Sequence, residues 1–308
     1  MADSMRDIKG RIKSVSSTKQ ITHAMQLVAS AKLRRTRERA DARRAYTRHI
    51  IETMHVIASG MDSQGENVSI FLKNNDSDRD LFVVIASDKG LAGGFNSNVL
   101  KYSMEKMAEI SENPVVFAVG VKSVDFFTRR RYEIAGSYTG ESENPSLTLA
   151  RNIGSAVTTM FIEQKINRVF VVYNRFVSVM SQVPDIIQLL PLTGDSLSMD
   201  VVDTTSMNEE GSLVDTERVT KLKSVMIFEP DAEMLMEDLV PRYFDNAIYG
   251  ALLESAAGEL AARRMAMENA TDNADELIGS LTLQYNRARQ GAITQELTEI
   301  ISGADAIS

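Results

Sequence analysis

All six prolines of this 308-residue chain lie between Pro114 and Pro241, and residues 11–59 contain neither proline nor glycine. A proline inside a helix removes a backbone donor and clashes with the preceding turn. Both ends of the chain are therefore free to form long uninterrupted helices, and the turns are concentrated in the middle. At a rise of about 1.5 Å per residue, a helix over 11–59 would run roughly 70 Å, and one of about 60 residues at the other end roughly 90 Å. Neither fits inside a globule of this size, so at least one end is expected to protrude.

Both ends carry helical patterning. Ile8, Ile12, Val15, Thr18, Ile21, Met25 and Val28 recur at steps of three and four, a narrow seam of the kind that packs on a second helix. The seam fades after Leu33, overlaps the run Lys32–Arg48 with its eight basic residues in seventeen, and resumes at Tyr46, Ile50, Met54 and Ile57. The other end is alanine-rich from Ala247 to Ala274, with Leu239, Leu252, Leu260, Leu277, Leu281, Ile293, Leu297 and Ile300 interspersed. Alanine favours helix and lets a partner helix approach closely. Gly303 is placed to end this helix. Residues 1–50 hold 13 Lys or Arg against 4 Asp or Glu, a net of +9, whereas residues 231–308 hold 5 against 14, a net of −9. Opposite charge favours attraction between the two ends, or a different partner for each. An apolar stripe needs cover, so the two helices are expected to meet.

The middle alternates strand and helix. Leu81–Ala86, Val115–Val119 and Arg168–Tyr173 are short apolar runs suited to buried strands, and Phe176–Met180 is a candidate to pair with the last. Helices are expected over 97–110, 121–131 and 147–164. This order predicts a Rossmann-like, three-layer α/β domain with parallel strands. Residues 194–222, rich in Ser, Thr, Asp and Glu, read as a flexible excursion before Lys223–Phe228 returns to apolar alternation. The expected organisation is an N-terminal helix over 1–60, an α/β domain over 78–228 inserted between the ends, and a C-terminal helix over 231–304.

Several chemistries are disfavoured. There is no cysteine, which removes disulfides, thiol nucleophiles and cysteine-bound metals, and three histidines make a zinc site or a histidine triad improbable. No run of 18 or more apolar residues exists to cross a membrane. Asp3 and Asp7 argue against a signal or transit peptide. Asp88 beside Lys89 and the pair Glu296/Glu299 are the best acid–base candidates, although helix-surface charge accounts for them more simply. The glycine-rich loop Ser87-Asp-Lys-Gly-Leu-Ala-Gly-Gly-Phe-Asn96 follows a strand and precedes a helix, a place where a phosphate can bind. It lacks both the G-x-G-x-x-G spacing and a G-K-[ST] ending, so a tight turn or a protein-contact loop is the plainer reading. The basic run beside a zipper-like seam suggests DNA binding, but the rest of the chain is acidic and base-reading Asn and Gln are missing among the arginines.

Three segments together resemble the gamma subunits of F-type ATP synthases: Ile21–Arg35, Ser87–Asn96, and Ala270–Asp275 leading to Tyr285–Ile300. Met180-Ser-Gln-Val-Pro184 and Phe228-Glu-Pro-Asp231 match as well, so the resemblance runs in order along nearly the whole chain. It implies a long antiparallel coiled coil of the terminal helices, an α/β domain at its base, and a rotor role without catalytic residues, cofactor or metal. The implied partners are three alpha and three beta subunits, the epsilon subunit and the ring of c subunits. Nucleic acid is not among them, and membrane association is indirect, through the c-ring on the cytoplasmic face of a bacterial plasma membrane. By match, Arg289, Gln290, Thr294 and Glu296 resemble contacts to the beta subunit. Met25, Arg242 and Lys89 resemble coupling contacts along the shaft, and Met226, Phe228 and Glu229 resemble the foot on the c-ring. Ala92 stands where many members carry cysteine, and the chloroplast redox cysteine pair is absent, which removes thiol regulation. The coupling ion, proton or sodium, is not encoded in such a subunit.

Overall fold

The structure, a computed structural model, describes residues 5–61, 71, 73–192 and 231–305. The excursion expected at 194–222 and the foot residues Met226, Phe228 and Glu229 lie outside the described residues. Ten elements follow in order: α1 (Met5–Met61), β1 (Arg79–Ile85), α2 (Phe95–Ile110), β2 (Asn113–Val119), α3 (Val121–Arg129), β3 (Ile134–Tyr138), α4 (Leu147–Ile162), β4 (Arg168–Phe176), β5 (Gln182–Leu190) and α5 (Ala232–Asp305).

The chain divides into two compact units. One holds residues 30–262, the other residues up to Ala29 and from Arg263 onward. The terminal helices contribute to both.

In the larger unit, five strands form one sheet in the order β3-β2-β1-β4-β5. β1 is parallel to β2 and to β4, and β2 is parallel to β3, while β5 returns antiparallel to β4. The central strands are near-continuous apolar runs because both faces of the sheet are covered. On one face, Phe82, Val84, Val116 and Val172 pack against Val99 and Met107 of α2 and Phe127 of α3. On the other, Leu81, Val83 and Val171 pack against Ile153 and Phe161 of α4, Ile51 and Met54 of α1, and Tyr243, Phe244 and Ile248 of α5. The three-layer α/β expectation is met, and both terminal helices form part of one outer layer.

Two local expectations need correction. The strand beside β4 is Gln182–Leu190, not Phe176–Met180. Phe176 ends β4, and residues 177–181 form a turn closed by Val177 N–H and Ser178 N–H donating to Ser181 O. Gly303 does not end α5, which continues to Asp305. One glycine in a helix costs only about 1 kcal/mol, which a 74-residue helix tolerates. Pro241 lies inside α5, within the span expected for this helix. The carbonyl it leaves without an intrahelical donor is that of Glu237, an exposed residue, while Met236, Val240, Tyr243 and Phe244 on either side are at most 2% exposed. Their burial, about 1.5–3 kcal/mol for each large side chain, offsets the proline.

Both helix pairings are antiparallel. In the larger unit Asn246 Nδ2 donates to Thr47 Oγ1 at 2.6 Å, Arg43 Nη1 donates to Asn246 O at 2.6 Å, and Arg39 Nη2 donates to Tyr249 Oη at 2.8 Å. As one number falls the other rises. In the smaller unit the hydroxyls of Thr22 and Thr271 share a hydrogen bond of 2.8 Å, and Lys19 pairs with Asp275. Ile8, Ala29, Met267, Ala274 and Leu281 are buried there.

At the start of β1 and β4, Asp80 is only 3% exposed. Arg168 grips it bidentately, with Nε–Oδ1 at 2.9 Å and Nη2–Oδ2 at 2.7 Å, and also donates to the Ile110 carbonyl that ends α2. One guanidinium thereby ties two strands and a helix end. Asp80→Ala leaves this half-buried cation without its partner. It is expected to cost about 2–4 kcal/mol, read as a lower urea midpoint with an unchanged slope.

Candidate partner-contact surfaces

In a doubly wound sheet, ligands enter where the strand order reverses, here between the C-terminal ends of β1 and β4. This chain fills that place with its own residues. Phe95, at the start of α2, is buried, and its carbonyl accepts from Asn174 Nδ2 of β4 at 3.1 Å. α5 passes over it at Gly258, where an added Cβ would lie 3.2 Å from the Phe95 ring.

The glycine-rich loop is likewise turned inward. Asn96 Oδ1 accepts from Ser87 N–H at 2.9 Å, and Ser87 Oγ lies 2.6 Å from the Lys89 carbonyl, so the loop is closed on its own side chains. The N-terminus of α3, a natural anion site, is already occupied by Asp88. Its Oδ1 accepts from Val121 N–H at 3.1 Å and its Oδ2 from Ser142 N–H at 3.0 Å, while Ser142 Oγ accepts from Asp88 N–H. Burial opposes ionisation, but the N–H groups of Gly140, Ser142 and Val121 outweigh it and hold the Asp88 carboxyl below its ordinary value. Gly120 makes this approach possible. Its φ is +88°, and a Cβ there would stand 2.1 Å from the Ala86 carbonyl oxygen. Asp88, an acid–base candidate by sequence, is thus a structural strut between β1, α3 and the following loop.

Lys89 remains on the surface beside it, 3.4 Å from Glu143, and Glu143 also takes Lys32 of α1 at 2.6 Å. Glu143 therefore joins the loop to the helix, a role that no local motif around it announces. Met25 is half-buried in the smaller unit, on the helix face marked by buried Thr22 and Ala29. Arg242 is in the larger unit, exposed, and paired with Asp238 one turn earlier at 3.0 Å. The structure does not bring Met25 and Arg242 together within one unit. The buried cation on α5 in Met25's unit is Arg263, 6% exposed, which sequence reasoning passed over because burial along an alanine-rich helix is not legible by periodicity alone.

Arg289, Gln290, Thr294 and Glu296 share the last stretch of α5, where every residue from 289 to 302 is exposed. Thr294 Oγ1 donates to the Gln290 carbonyl at 2.9 Å, within the helix itself. Ile293, Leu297, Ile300 and Ile301, between 50% and 62% exposed, form a helical apolar stripe between these polar groups. An exposed apolar face of this kind marks a contact surface. Glu296 and Glu299, the other acid–base candidate pair, lie on this open helix. Among the described residues, no group of three or more His, Cys, Asp or Glu side chains is placed to hold a metal, and no helix is long and apolar enough to cross a membrane.

The family model described as ATP synthase matches residues 4–307. This chain belongs to the family of ATP synthase gamma chains. It is 43% identical over 310 residues to the sodium ion specific ATP synthase gamma chain of Acetobacterium woodii, with all of both chains covered. To the ATP synthase gamma chain of Alkaliphilus metalliredigens it is 39% identical, again over the whole of both. Among solved structures, a chain of the Euglena gracilis mitochondrial ATP synthase (OSCP/F1/c-ring, rotational state 3) aligns with a TM-score of 0.65, covering 98% of this chain and 94% of that one. At 22% identity it supports the fold of this gamma-family chain and no more.

Asp88 supplies a pH test of the loop. Its lowered carboxyl pKa stabilises the fold at pH values above the unfolded carboxylate pKa, and that contribution is lost as pH falls through the lower folded value. Asp88→Asn is therefore expected to be less stable than the parent near pH 7, by about 1–3 kcal/mol from the lost charge-assisted bonds. The gap should begin to narrow below about pH 4 and close as pH falls through the lower folded value. Paired urea titrations across pH check this, and a gap that persists unchanged into acid would contradict the strut.

Proposed function

We propose that this chain is the rotating central-stalk subunit of an F-type ATP synthase, which couples rotation of an ion-driven c-ring to the nucleotide sites of an alpha/beta hexamer and performs no chemistry itself. The observation that carries the reading is the end of α5, an open helix whose apolar stripe and flanking polar residues need a surrounding partner. Apolar contact is non-directional, so such a surface can turn within a sleeve. Arg289, Gln290, Thr294 and Glu296 are its directional contacts, engaged to the beta subunit. Each engagement must form and break in every turn, which restricts it to a few exposed polar pairs rather than a buried network.

Met25, Arg242 and Lys89 are proposed as further contacts along the shaft, and Met226, Phe228 and Glu229 as the foot on the c-ring. Residues 1–60 and 231–304 are read as the two strands of an antiparallel coiled coil, with the α/β domain over 78–228 at its base, near epsilon. Three alpha and three beta subunits complete the partner set. The assembly places the chain peripherally on the cytoplasmic face of a bacterial plasma membrane. The ion choice, proton or sodium, is read as made outside this subunit. The occupied crevice and the Asp88 strut support a non-catalytic chain, because the positions where this fold usually places chemistry are occupied by its own residues.

Reconstitution tests the proposal. The chain mixed with alpha and beta subunits from the same source should yield one complex with ATP hydrolysis that the separate chains lack. A folded chain that stays apart from both overturns it. Arg289→Ala with Gln290→Ala should leave the isolated chain's melting temperature within about 2 °C, since both residues are exposed and surface changes rarely exceed about 0.5 kcal/mol. In the assembled synthase the same pair should reduce ion pumping per ATP hydrolysed by at least about threefold, a loss on the order of 0.6 kcal/mol or more in coupling. Unaltered pumping would remove these residues from the contact.

A further inference from the structure

Within the larger unit, α1, α4 and α5 enclose a groove of about 700 Å³ lined by four arginines: Arg39 and Arg43 from α1, Arg151 from α4 and Arg242 from α5. Two of the four belong to the basic run that the rotor reading does not absorb. The acidic residue in the lining is Asp245. Two glycines make room for charge at its walls. A Cβ on Gly250 would lie 2.3 Å from Arg43 Nη2, and one on Gly154 would lie 2.4 Å from Asp245 Oδ1.

The arginines are held in different ways. Arg39 donates to Asn144 Oδ1 at 2.5 Å, to the Pro145 carbonyl at 2.6 Å and to Tyr249 Oη at 2.8 Å. All three acceptors are neutral, and among the described residues no carboxylate pairs with it, so its position is set while its charge is not cancelled. Arg151 is 65% exposed and stands 3.9 Å from Asp245, too far for a hydrogen bond. Arg242, 60% exposed, engages Asp238 through Nη2. The groove therefore has a positioned cation at its wall and two guanidinia with unused donors at its mouth. Burial pushes the Asp245 carboxyl above its ordinary value, against the pull of Arg151. Lysines are absent from the lining. Guanidinium forks match the paired oxygens of a phosphoryl group, which a point-like ammonium does not. A cavity of this size falls in the usual range of about 300–1,000 Å³ for small-ligand sites.

We propose that this groove is an oxyanion site that binds a phosphoryl group, carried either by a soluble phosphate ester or diphosphate or by a phospholipid head group. It does not depend on the rotor reading, because it concerns the isolated full-length chain.

The test is calorimetry of the full-length chain with pyrophosphate at constant ionic strength, beside co-sedimentation with phosphatidylcholine vesicles with and without phosphatidic acid. Saturable binding of pyrophosphate with a Kd below about 1 mM is expected, weakened at least tenfold or so by Arg151→Gln with Arg242→Gln. Arg34→Gln with Arg35→Gln, which removes equal charge from α1 outside the groove, should change it by less than about twofold. Saturable binding to phosphatidic acid vesicles alone, with the same dependence on Arg151 and Arg242, supports the site with a lipid as its source. No saturable binding to either probe up to about 10 mM overturns the proposal, as does equal weakening by the two variant pairs.

Discussion

Covering one face of the central sheet is the requirement on which the larger unit rests. α2 and α3 close the other face by themselves, as local crossovers between neighbouring strands. The second face receives only one such helix, α4, because β4 lies beside β1 and β5 returns without a crossover helix. The remaining area over Leu81, Val83, Ile85 and Val171 is closed by Ile51 and Met54 from one end of the chain and by Tyr243, Phe244, Ile248 and Leu252 from the other. The terminal helices are therefore part of the domain core. A force applied to either helix in this unit is resisted by buried side chains throughout a shared core, which is stiff because it is close-packed.

The same covering removes the usual ligand crevice. In many doubly wound folds the space between the ends of the central strands stays open and a glycine-rich turn faces it. Here Phe95 fills it, Gly258 allows α5 to lie against that ring, and Asp88 supplies the negative charge that the α3 terminus favours. The loop keeps the glycines of a phosphate-binding turn, but Gly90 and Gly93 face open space there, and the close passage past Ala86 is made by Gly120, outside the loop. Polar side chains that resemble an active site in the sequence are consumed as backbone ligands, which leaves Lys89 on the surface, paired with Glu143.

This division between buried and outward groups also explains what the sequence made legible. β1, β2 and β4 are central and buried on both faces, so their apolar runs are visible without partners. β3 and β5 are edge strands with half-exposed residues, and β5 contains Pro184, so neither carries a strong run. The shorter apolar stretch at Phe176–Met180 competed with β5 for the same partner, and the turn at Ser178–Ser181 decides between them. The N-terminal helix was legible because residues 11–59 contain neither proline nor glycine, and the C-terminal one because no proline follows Pro241 and alanine is frequent. Pairs such as Lys89 with Glu143 or Arg39 with Tyr249 join distant segments and have no local signature. The contacts proposed on α5 rest on family resemblance, since exposure on a helix leaves no periodic trace of its own.

Along α5, the character of the apolar surface changes with its surroundings. From Met236 to Ala261 most of its large side chains and alanines are matched to neighbours and nearly inaccessible. From Ile293 to Ile301 the same residue classes stand more than half exposed in most positions. Buried and well-packed apolar groups specify one geometry, because small displacements lose dispersion contacts on all sides. An exposed stripe with no matched holes specifies only that water be excluded, so its energy varies little with rotation about the helix axis. A chain that must be rigid where it joins its own domain and free to turn where it meets a partner needs both kinds of surface. On the proposed rotor reading, Arg289 and Gln290 add angular preference to an otherwise smooth stripe. Exposed, singly placed polar groups of this kind contribute about 1 kcal/mol or less each, strong enough to bias an orientation and weak enough to release it.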